Sequence, residues 1–320
     1  MASPEPGASS LVTIEGARAE AGPDVQLVGV IGSPIAHSLS PVLHNAAFAA
    51  LGLEATWHSQ AFEVPAGEAA SALEAMRRAD VSGLSVTMPH KADAAALVDE
   101  CTDVAQRLGA VNCISNRNGH LVGTNTDGQG FVASLARGAG FVPVGKRCLV
   151  IGAGGAARAV VLALAEAGAG EVVVLNRTPE RAAAAAALAG AAGSVLPAER
   201  AASPEDDGLA DIVGSADLVV NATPLGMAGA FHGGPGEWLV APNLLRPGQV
   251  AADLVYVPRP TRWLAEAAAA GAHPVDGLGM LVHQAAAQLE LWTGQPAAVE
   301  AMWSAAESVD PPKPAGAGET

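Results

Sequence analysis

Short apolar segments alternate with Ala-rich segments of helical length along most of the chain. Residues 25–32 (VQLVGVIG) and 84–89 (LSVTMP) have the pattern of strands buried on both faces of a parallel sheet. A loop at 33–41 and a helix from about Val42 follow the first segment, and an Ala-rich helix at 92–100 follows the second. This alternation predicts an α/β domain in the first part of the chain.

A second series begins at residues 146–152 (KRCLVIG). It reads as a strand, a Gly-rich turn, a helix at 156–167, a strand at 171–175, a polyalanine helix at 179–189 and a strand at 216–221. This order is typical of a doubly wound nucleotide-binding domain. Residues 119–130 are turn-rich and polar, and a helix at 131–140 is expected to leave the first domain.

The fold class that follows is α/β with two domains. We expect an N-terminal α/β substrate-binding domain over 25–132 and a C-terminal Rossmann-type, doubly wound domain over 133–275. Helices within 276–308 are expected to pack back on the substrate domain. Residues 1–24 and 309–320, rich in Gly, Ala and Pro, are expected to be disordered tails.

The last long helix, predicted at 278–292, has an apolar face at the helical period. Gln284 and Gln288 lie beside that face, whereas His283 lies on the opposite, solvent side and receives no role. A glutamine near a buried face needs hydrogen-bond partners, and a ligand can supply them.

Composition and charge restrict the partners. The 320 residues are 50% hydrophobic and 15% charged, so the chain should fold, and its formal net charge of −15 repels nucleic acids and anionic membranes. The three cysteines contain no CxxC, and no metal-ligand spacing occurs, so we predict no metal and a cytoplasmic protein. No apolar run reaches the roughly 18 residues that a membrane span needs. An anionic ligand would require local cations or helix N-termini.

The Gly-rich turn at 152–157 (GAGGAA) follows a predicted strand and precedes a predicted helix, which is the context that gives a GxGxxG/A match its meaning. Gly152 permits the tight turn, Gly154 lets the backbone approach a pyrophosphate, and Ala157 allows close contact between helix and strand. The sequence therefore predicts dinucleotide binding. The turn residues assigned to the cofactor are Gly152, Ala153, Gly154, Gly155 and Ala156.

The end of the next strand indicates which dinucleotide binds. An NAD site typically has an acidic residue about 20 positions after the first glycine, but this strand ends in Asn176, Arg177 and Thr178. Arg177 offers a fork of donors that suits a 2′-phosphate, and the other two side chains add neutral hydrogen bonds. NADP is the predicted cofactor.

Polar clusters also occur where strands of the first domain end, at residues 37–41 (HSLSP), 85–91 (SVTMPHK), 109–113 (GAVNC) and 125–128 (NTDG). The carboxyl ends of strands in an open α/β sheet converge, so these clusters are expected to meet. Their hydroxyls, amide, ammonium and carboxylate suit a small polyhydroxylated ligand, and Ser38 and Ser40 suit a carboxylate on it.

These motifs, together with GAGGAAR, NRT, NATPLGM and DGLGMLVHQAA in the same order, resemble the shikimate dehydrogenase family from Val28 to about Gly294. The resemblance implies reversible NADPH-dependent reduction of 3-dehydroshikimate to shikimate, on the chorismate route to aromatic amino acids. It also implies that Lys91 and Asp127 form the catalytic pair. The implied substrate-binding residues are Ser38, Ser40, Thr87, Asn112, Thr126, Tyr256 and Gln284. The implied nicotinamide residues are Thr223, Met227 and Gly277.

One position departs from the family pattern, because Ser85 stands where the family usually has Asn. We expect Ser85 to support its loop rather than touch substrate. Lys91 is the expected proton donor to the reduced carbonyl oxygen, with Asp127 orienting it; the structural alternative is a surface Lys–Asp pair.

Two other functions remain open at this point: a quinate/shikimate dehydrogenase that uses NAD, and a non-catalytic dinucleotide sensor. The assembly is expected to be a monomer or a homodimer that acts on small molecules only.

Overall fold

The computed structural model describes residues 13–197, 207–227 and 240–309. The chain divides into two compact units, one of residues 1–124 with 289–301 and the other of residues 125–288 with 302–320. The ligand-binding domains expected at 25–132 and 133–275 are functional divisions and stay a prediction.

The first unit contains a six-stranded mixed sheet in the order β2-β1-β3-β5-β6-β4. The β1–β2, β1–β3 and β4–β6 pairs are parallel, and the β3–β5 and β5–β6 pairs are antiparallel. Its strands are β1 (Gln26–Gly32), β2 (Trp57–Glu63), β3 (Gly83–Val86), β4 (Glu100–Cys101), β5 (Cys113–Arg117) and β6 (His120–Thr124). Its helices are α1 (Ile14–Ala21), α2 (Ser40–Ala50), α3 (Ala69–Arg78), α4 (Lys91–Leu97) and α5 (Asp103–Leu108).

The reading of residues 119–130 as turn alone is wrong, because β5 and β6 form a hairpin there. Asn118 and Gly119 have φ values of 55° and 89°. Positive φ at both central residues is the geometry of a two-residue hairpin turn, for which Asn-Gly is the preferred sequence.

The expected disordered tail at 1–24 is also wrong for residues 14–21, which form α1. Ile14 and Ala17 of this helix are buried, and Arg78 Nη2 lies 2.9 Å from Glu15 Oε1. Burial of one apolar face is what holds so short a helix. Residues 1–12 and 310–320 of the predicted tails lie outside the described residues.

The second unit contains a six-stranded, wholly parallel sheet in the order β12-β11-β10-β7-β8-β9. Its strands are β7 (Arg147–Ile151), β8 (Glu171–Leu175), β9 (Gly193–Leu196), β10 (Leu218–Asn221), β11 (Val250–Asp253) and β12 (His273–Val275). From β7 the chain builds outward through β8 and β9 on one side, and then returns to add β10, β11 and β12 on the other. This reversal beside the first strand is the doubly wound Rossmann order. The predicted fold class is confirmed.

The helices from residue 125 onward are α6 (Asp127–Ala139), α7 (Gly155–Glu166), α8 (Pro179–Ala186), α9 (Asp207–Ser215), α10 (Arg262–Ala269), α11 (Gly277–Thr293) and α12 (Val299–Ser308). The predicted polyalanine helix is shorter than expected, since a 3₁₀ turn replaces it from Ala187. None of the helices in the described ranges has the length and apolar content that crossing a bilayer requires.

The indole of Trp292 fixes the position of β3 in the first unit. Its Nε1 donates to the Ile114 carbonyl at 3.1 Å, and its ring meets the His44 ring edge-on at 5.1 Å. A Cβ added to Gly83 would lie 2.2 Å from that Nε1. Only glycine therefore fits at the start of the strand that leads to Ser85 and Thr87.

We predict that Gly83→Ala lowers the free energy of unfolding by about 1–3 kcal/mol, because the added methyl group overpacks a held indole. Gly214→Ala in α9 is the matched control, since nothing lies within 4 Å of its added Cβ. In a helix this control change should raise stability by about 0.5–1 kcal/mol. Urea unfolding of both variants measures the effects, and equal or raised stability of Gly83→Ala would contradict the packing argument.

Candidate active site

The carboxyl ends of β1 and β3 bring two of the polar motifs together in the first unit. The amide of Thr87 donates to the Ile31 carbonyl at 2.9 Å, and the amide of Ser33 donates to the Met88 carbonyl at 3.0 Å. A Cβ on Gly32 would lie only 2.4 Å from Cγ2 of Thr87. The loop that leads to the HSLSP segment therefore begins beside residues 87–88 of the SVTMPHK segment.

Residues 33–39 form the loop after β1, called the serine loop below, and hydrogen bonds hold it at Ile35 and at Ser38. Oγ of Ser38 accepts from the amide of Ser40 at 3.3 Å, and Ser40 is buried as the first residue of α2. Oε2 of Glu63 accepts from the amide of Ile35 at 2.8 Å. Sequence reasoning missed Glu63, because only the pairing of β1 with β2 reveals that it stands beside this loop.

Lys91 is the first residue of α4 and is half-buried. Its carbonyl accepts from the amide of Val111 at 2.8 Å, and the next residue, Asn112, is 1% exposed. The Asn112 carbonyl accepts from the amide of Val86 at 2.8 Å. The structure thus brings Lys91 and Asn112 together at the end of β3, next to Thr87.

His90 anchors the residue before Lys91. Its side chain is fully buried, and its Nε2 lies 2.7 Å from the Val64 carbonyl. A carbonyl only accepts hydrogen bonds, so Nε2 carries the proton and donates it. Ser85 is buried within β3, opposite Val30 and Cys113; its supporting role stays a prediction.

A second group of predicted residues meets in the other unit. Oγ1 of Thr126 donates to the Gln284 carbonyl at 3.0 Å, and Thr126, Asp127 and Gln284 are all buried. A Cβ on Gly130 of α6 would lie 2.7 Å from the Gln284 amide nitrogen, so α6 and α11 pack backbone to backbone. Asp127 begins α6, where a carboxylate interacts favourably with the helix dipole.

The side chain of Gln284 has partners within its own helix. Its Nε2 donates to the Leu281 carbonyl at 2.9 Å, and its Oε1 accepts from Gln288 at 2.9 Å. These contacts fix the direction of the amide. The expectation that His283 faces solvent is wrong, since its half-buried ring lies 6.3 Å from the Trp303 ring.

The glycine turn follows β7 as predicted. Gly152 has a φ of 114°, and a Cβ there would lie 2.9 Å from the Ala222 carbonyl oxygen, so glycine is required on both counts. Added Cβ atoms on Gly154 and Gly155 would meet nothing within 4 Å. Gly154 caps α7 without a side-chain hydrogen bond, and the first turn of α7 contains no acidic residue. These features leave an open cradle at a helix N-terminus, which fits a phosphate group.

The turn that follows β8 exposes the guanidinium group of Arg177. Nδ2 of Asn176 donates to the Thr178 carbonyl at 3.1 Å, which shapes the turn, while Arg177 and Thr178 are exposed. Arg181, exposed on α8, is a further guanidinium that sequence reasoning missed. Its spacing of four residues from Arg177 is the sequence signal that indicates it, because residues four apart at the start of a helix lie on the same face. In the described part of the chain, neither arginine forms an ion pair with a carboxylate.

The ends of β10 and β11 hold the predicted nicotinamide residues through buried polar groups. Oδ1 of Asn221 accepts from the amide of Thr223 at 3.2 Å and from its hydroxyl at 2.7 Å. Nδ2 of Asn221 donates to Asp253 Oδ1 at 3.1 Å. That carboxylate also accepts from the Val255 amide at 3.0 Å and from the Thr261 hydroxyl at 2.6 Å. Sequence reasoning missed both Asn221 and Asp253.

Comparison with known proteins identifies the arrangement. Residues 30–114 match the family model of the shikimate dehydrogenase substrate binding domain, residues 140–224 that of shikimate / quinate 5-dehydrogenase, and residues 277–307 that of the shikimate 5'-dehydrogenase C-terminal domain. The shikimate dehydrogenase (NADP(+)) of Moorella thermoacetica is 47% identical over 277 residues, 86% of this chain and 90% of that protein. The chain belongs to the shikimate dehydrogenase family.

Solved structures of family members agree in fold. The shikimate 5-dehydrogenase of Thermus thermophilus, in complex with NADP(H) and shikimate, is 39% identical and matches with a TM-score of 0.74 over 88% of this chain and 99% of that one. A quinate dehydrogenase of Corynebacterium glutamicum, in complex with NAD, is 30% identical with a TM-score of 0.79 over 90% and 100%. The family predicted from the motifs is confirmed, and the roles of individual residues stay predictions.

Burial of Asp253 makes stability depend on pH. Burial raises the pKa of this carboxyl to about 6; hydrogen bonds from Thr261, Val255 and Asn221 oppose the rise, and the nearby Asp276 carboxylate adds to it. The folded state therefore binds this proton more tightly than the unfolded state, whose pKa is near 3.9. The stability that Asp253 contributes is full below about pH 4 and is lost as pH rises to about 6.

We predict that the free energy of unfolding of the wild type, minus that of Asp253→Asn, falls by on the order of 3 kcal/mol between about pH 4 and pH 6 and then stays level. Asp217→Asn is the control with the opposite sign. The Arg147 amide and then Lys146 hold the pKa of Asp217 below its usual range, so the corresponding difference should rise as pH increases to about 4 and stay level above it. Denaturant unfolding from about pH 2 to about pH 7 measures both differences, and a difference independent of pH for Asp253→Asn would refute the assignment.

Proposed function

We propose that this chain is an NADP-dependent shikimate dehydrogenase that interconverts 3-dehydroshikimate and shikimate on the route to chorismate and aromatic amino acids. The observation that carries the proposal is that the polar residues stand where strands end in a fold shared with family members. Ser38 follows β1, Thr87 follows β3, Lys91 opens α4, Asn112 directly precedes β5, which is antiparallel to β3, and Asp127 opens α6. An α/β enzyme binds its ligands at such strand ends.

The geometry of the cradle, formed by the glycine turn at 152–157 and the N-terminus of α7, fits a dinucleotide phosphate. The open glycines, the uncapped amides of α7 and Arg158 in its first turn supply donors and positive charge without a competing carboxylate. In this proposal the turn at Gly152, Ala153, Gly154, Gly155 and Ala156 holds the pyrophosphate. Asn176, Arg177 and Thr178, with Arg181, hold the ribose 2′-phosphate. Thr223, Met227 and Gly277 border the nicotinamide.

The chemistry that NADPH would supply when bound in this cradle is a hydride for the ring ketone. The ammonium of Lys91 donates a proton from Nζ to the substrate oxygen, and its charge stabilises that oxygen as negative charge develops. The carboxylate of Asp127 orients the ammonium and accepts a hydrogen bond from a substrate hydroxyl. In the reverse direction Lys91 takes the proton back.

The remaining residues orient the substrate. The hydroxyls of Ser38 and Ser40 bind its carboxylate, and the polar groups of Thr87, Asn112, Thr126, Tyr256 and Gln284 bind its ring hydroxyls. Amide and hydroxyl groups held by their own hydrogen bonds, as in Gln284, lose little freedom when they bind. The enzyme acts on small molecules in the cytoplasm, as a monomer or homodimer, with no nucleic-acid or membrane partner.

The alternative, an NAD-dependent quinate/shikimate dehydrogenase, is not favoured. Arg177 stands where an NAD site has an acidic residue, and no carboxylate follows β8 before Glu180. Incubation with NADPH and 3-dehydroshikimate should yield shikimate, identified by chromatography. Faster oxidation of quinate with NAD than of shikimate with NADP would instead favour the alternative.

Replacing Lys91 by Ala should lower kcat by at least about 10²-fold, a typical contribution of one proton-transfer group, with little change in substrate KM. Lys91→Arg keeps a positive charge that does not give up its proton, so its kcat should also stay at least about tenfold below wild type. Lys146→Ala is the control, since Lys146 pairs with Asp217 at the opposite end of β7. Turnover of Lys91→Ala equal to that of Lys146→Ala would reject the role.

Replacing Arg177 by Ala should raise the KM for NADP by about 10- to 100-fold, the effect of losing a charge-assisted hydrogen-bond pair. The KM for NAD, which has no 2′-phosphate, should change by less than about threefold by the same reasoning. Arg117→Ala, an exposed arginine on the β5–β6 hairpin, is the matched control. Equal changes with both cofactors would show that Arg177 does not recognise the phosphate.

A further inference from the structure

Three hydrogen-bond donors converge on the buried carboxylate of Asp253, which the reaction above does not use. Asp253, Asn221 and Thr261 are 1%, 2% and 1% exposed. The donors are a side-chain amide, a backbone amide and a hydroxyl. A carboxylate satisfies all three because it only accepts, whereas an asparagine has to direct its own NH₂ group at one of them.

A buried carboxylate without a cationic partner costs stability. The described residues give Asp253 no such partner, and the one carboxyl that acts on it, Asp276, has the same charge. Its presence therefore indicates a role that an apolar residue does not fill. The network shows what that role is, because Asn221 leads to one segment, Val255 and Thr261 belong to a second, and the Val255 carbonyl binds a third.

The first segment is residues 222–227. Asn221 is the register partner of Asp253 across β10 and β11. The Oδ1 of Asn221 binds Thr223, and its Nδ2 lies 3.4 Å from the Leu225 carbonyl. Thr223 Oγ1 in turn accepts from the Leu225 amide at 3.3 Å. This segment adjoins the cradle, since a Cβ on Gly152 would lie 3.3 Å from Cγ2 of Thr223.

The second segment is residues 254–261, which carries Tyr256. Asp253 holds its start through the amide of Val255 and its end through the hydroxyl of Thr261, which also caps α10 by accepting from the Leu264 amide at 3.3 Å. The third segment begins α11, where the amide of Gly277 donates to the Val255 carbonyl at 3.3 Å.

We propose that Asp253 is a positioning residue that holds these three segments in place beside the glycine turn at 152–157. The segments carry Thr223, Tyr256 and Gly277. By holding these segments, Asp253 allows them to bind the nicotinamide half of the dinucleotide in the orientation required for hydride transfer. The inference rests on the proposed function for the identity of the ligands.

The test compares two ligands that share one half. Adenosine 2′,5′-bisphosphate carries the 2′-phosphate but no nicotinamide, whereas NADPH carries both. In Asp253→Ala, the Kd for NADPH should rise by about fivefold or more, the effect of losing about one hydrogen bond. The Kd for the bisphosphate should stay within about twofold by the same reasoning. The kcat should fall by at least about tenfold, since a misplacement of about 1 Å can cost 10²-fold.

Conservative and control variants separate positioning from folding. Asp253→Asn keeps an acceptor for Asn221 and Val255, so it should recover most of the NADPH affinity that Asp253→Ala loses. Asp217→Ala also removes a carboxylate that accepts from a backbone amide, but it lies at the amino end of β10, whereas Asp253 lies at the carboxyl end of β11, and it should leave both Kd values and kcat unchanged. If Asp253→Ala does not fold, Thr261→Val removes one of the three donors to Asp253, together with the cap of α10, and should weaken NADPH binding selectively.

Two results would overturn the proposal: unchanged NADPH affinity and kcat in folded Asp253→Ala, or equal loss of affinity for both ligands. Absence of wild-type turnover with 3-dehydroshikimate would instead refute the proposed function. The binding comparison would still decide the role of Asp253 in that case.

Discussion

The hydrogen bonding between parallel strands decides where the chemistry of this chain is located. In the first unit, Ile31 of β1 pairs with Val86 of β3, so the loops that follow the two strands start next to each other. In the second unit, Asn221 of β10 pairs with Ile151 of β7 and with Asp253 of β11. A slip of one residue in any of these registers would move every side chain of the strand to the other face of its sheet. The registers therefore set which side chains reach the ligands.

Close backbone approach depends on the small residues that dominate this sequence. The loop after β10 crosses the glycine turn so closely that Gly152 has no room for a side chain, and the same is true of Gly32 beside Thr87. The low aromatic content, 3%, is consistent with this packing, since Ala and Val let helices lie near a sheet. The cost is conformational entropy on folding, which glycine loses more than other residues. Buried polar anchors such as Asn221 and His90 then fix the loops that this packing brings together.

The sequence was sufficient to predict the elements whose signals are local. The apolar runs predicted β1, β3 and β7, and the turn after β7 predicted its own glycine geometry. The hairpin at Asn118 and Gly119 has an equally local signal and was missed because the surrounding residues read as polar turn. Helix α1 was missed for a different reason: its composition resembles a tail, and burial of Ile14 and Ala17 against the rest of the unit stabilises it.

Other features of the site have no local signal. Glu63 and Asp253 are ordinary acidic residues at strand ends, and their partners lie 28 positions and 32 positions away in the sequence. Only the strand order reveals that Glu63 supports the serine loop and that Asp253 supports the loop with Thr223. Arg181 has a partial signal, because its spacing of four residues from Arg177 can be read from the sequence, whereas its exposure can be read only from the structure.

As a shikimate dehydrogenase, this chain transfers a hydride directly from NADPH to the ketone of 3-dehydroshikimate. The most direct measurement uses NADPH deuterated at both C4 positions of the dihydronicotinamide, in ordinary water, with mass spectrometry of the product. We expect shikimate that carries one carbon-bound deuterium per molecule. Unlabelled shikimate, or no shikimate at all, would contradict it.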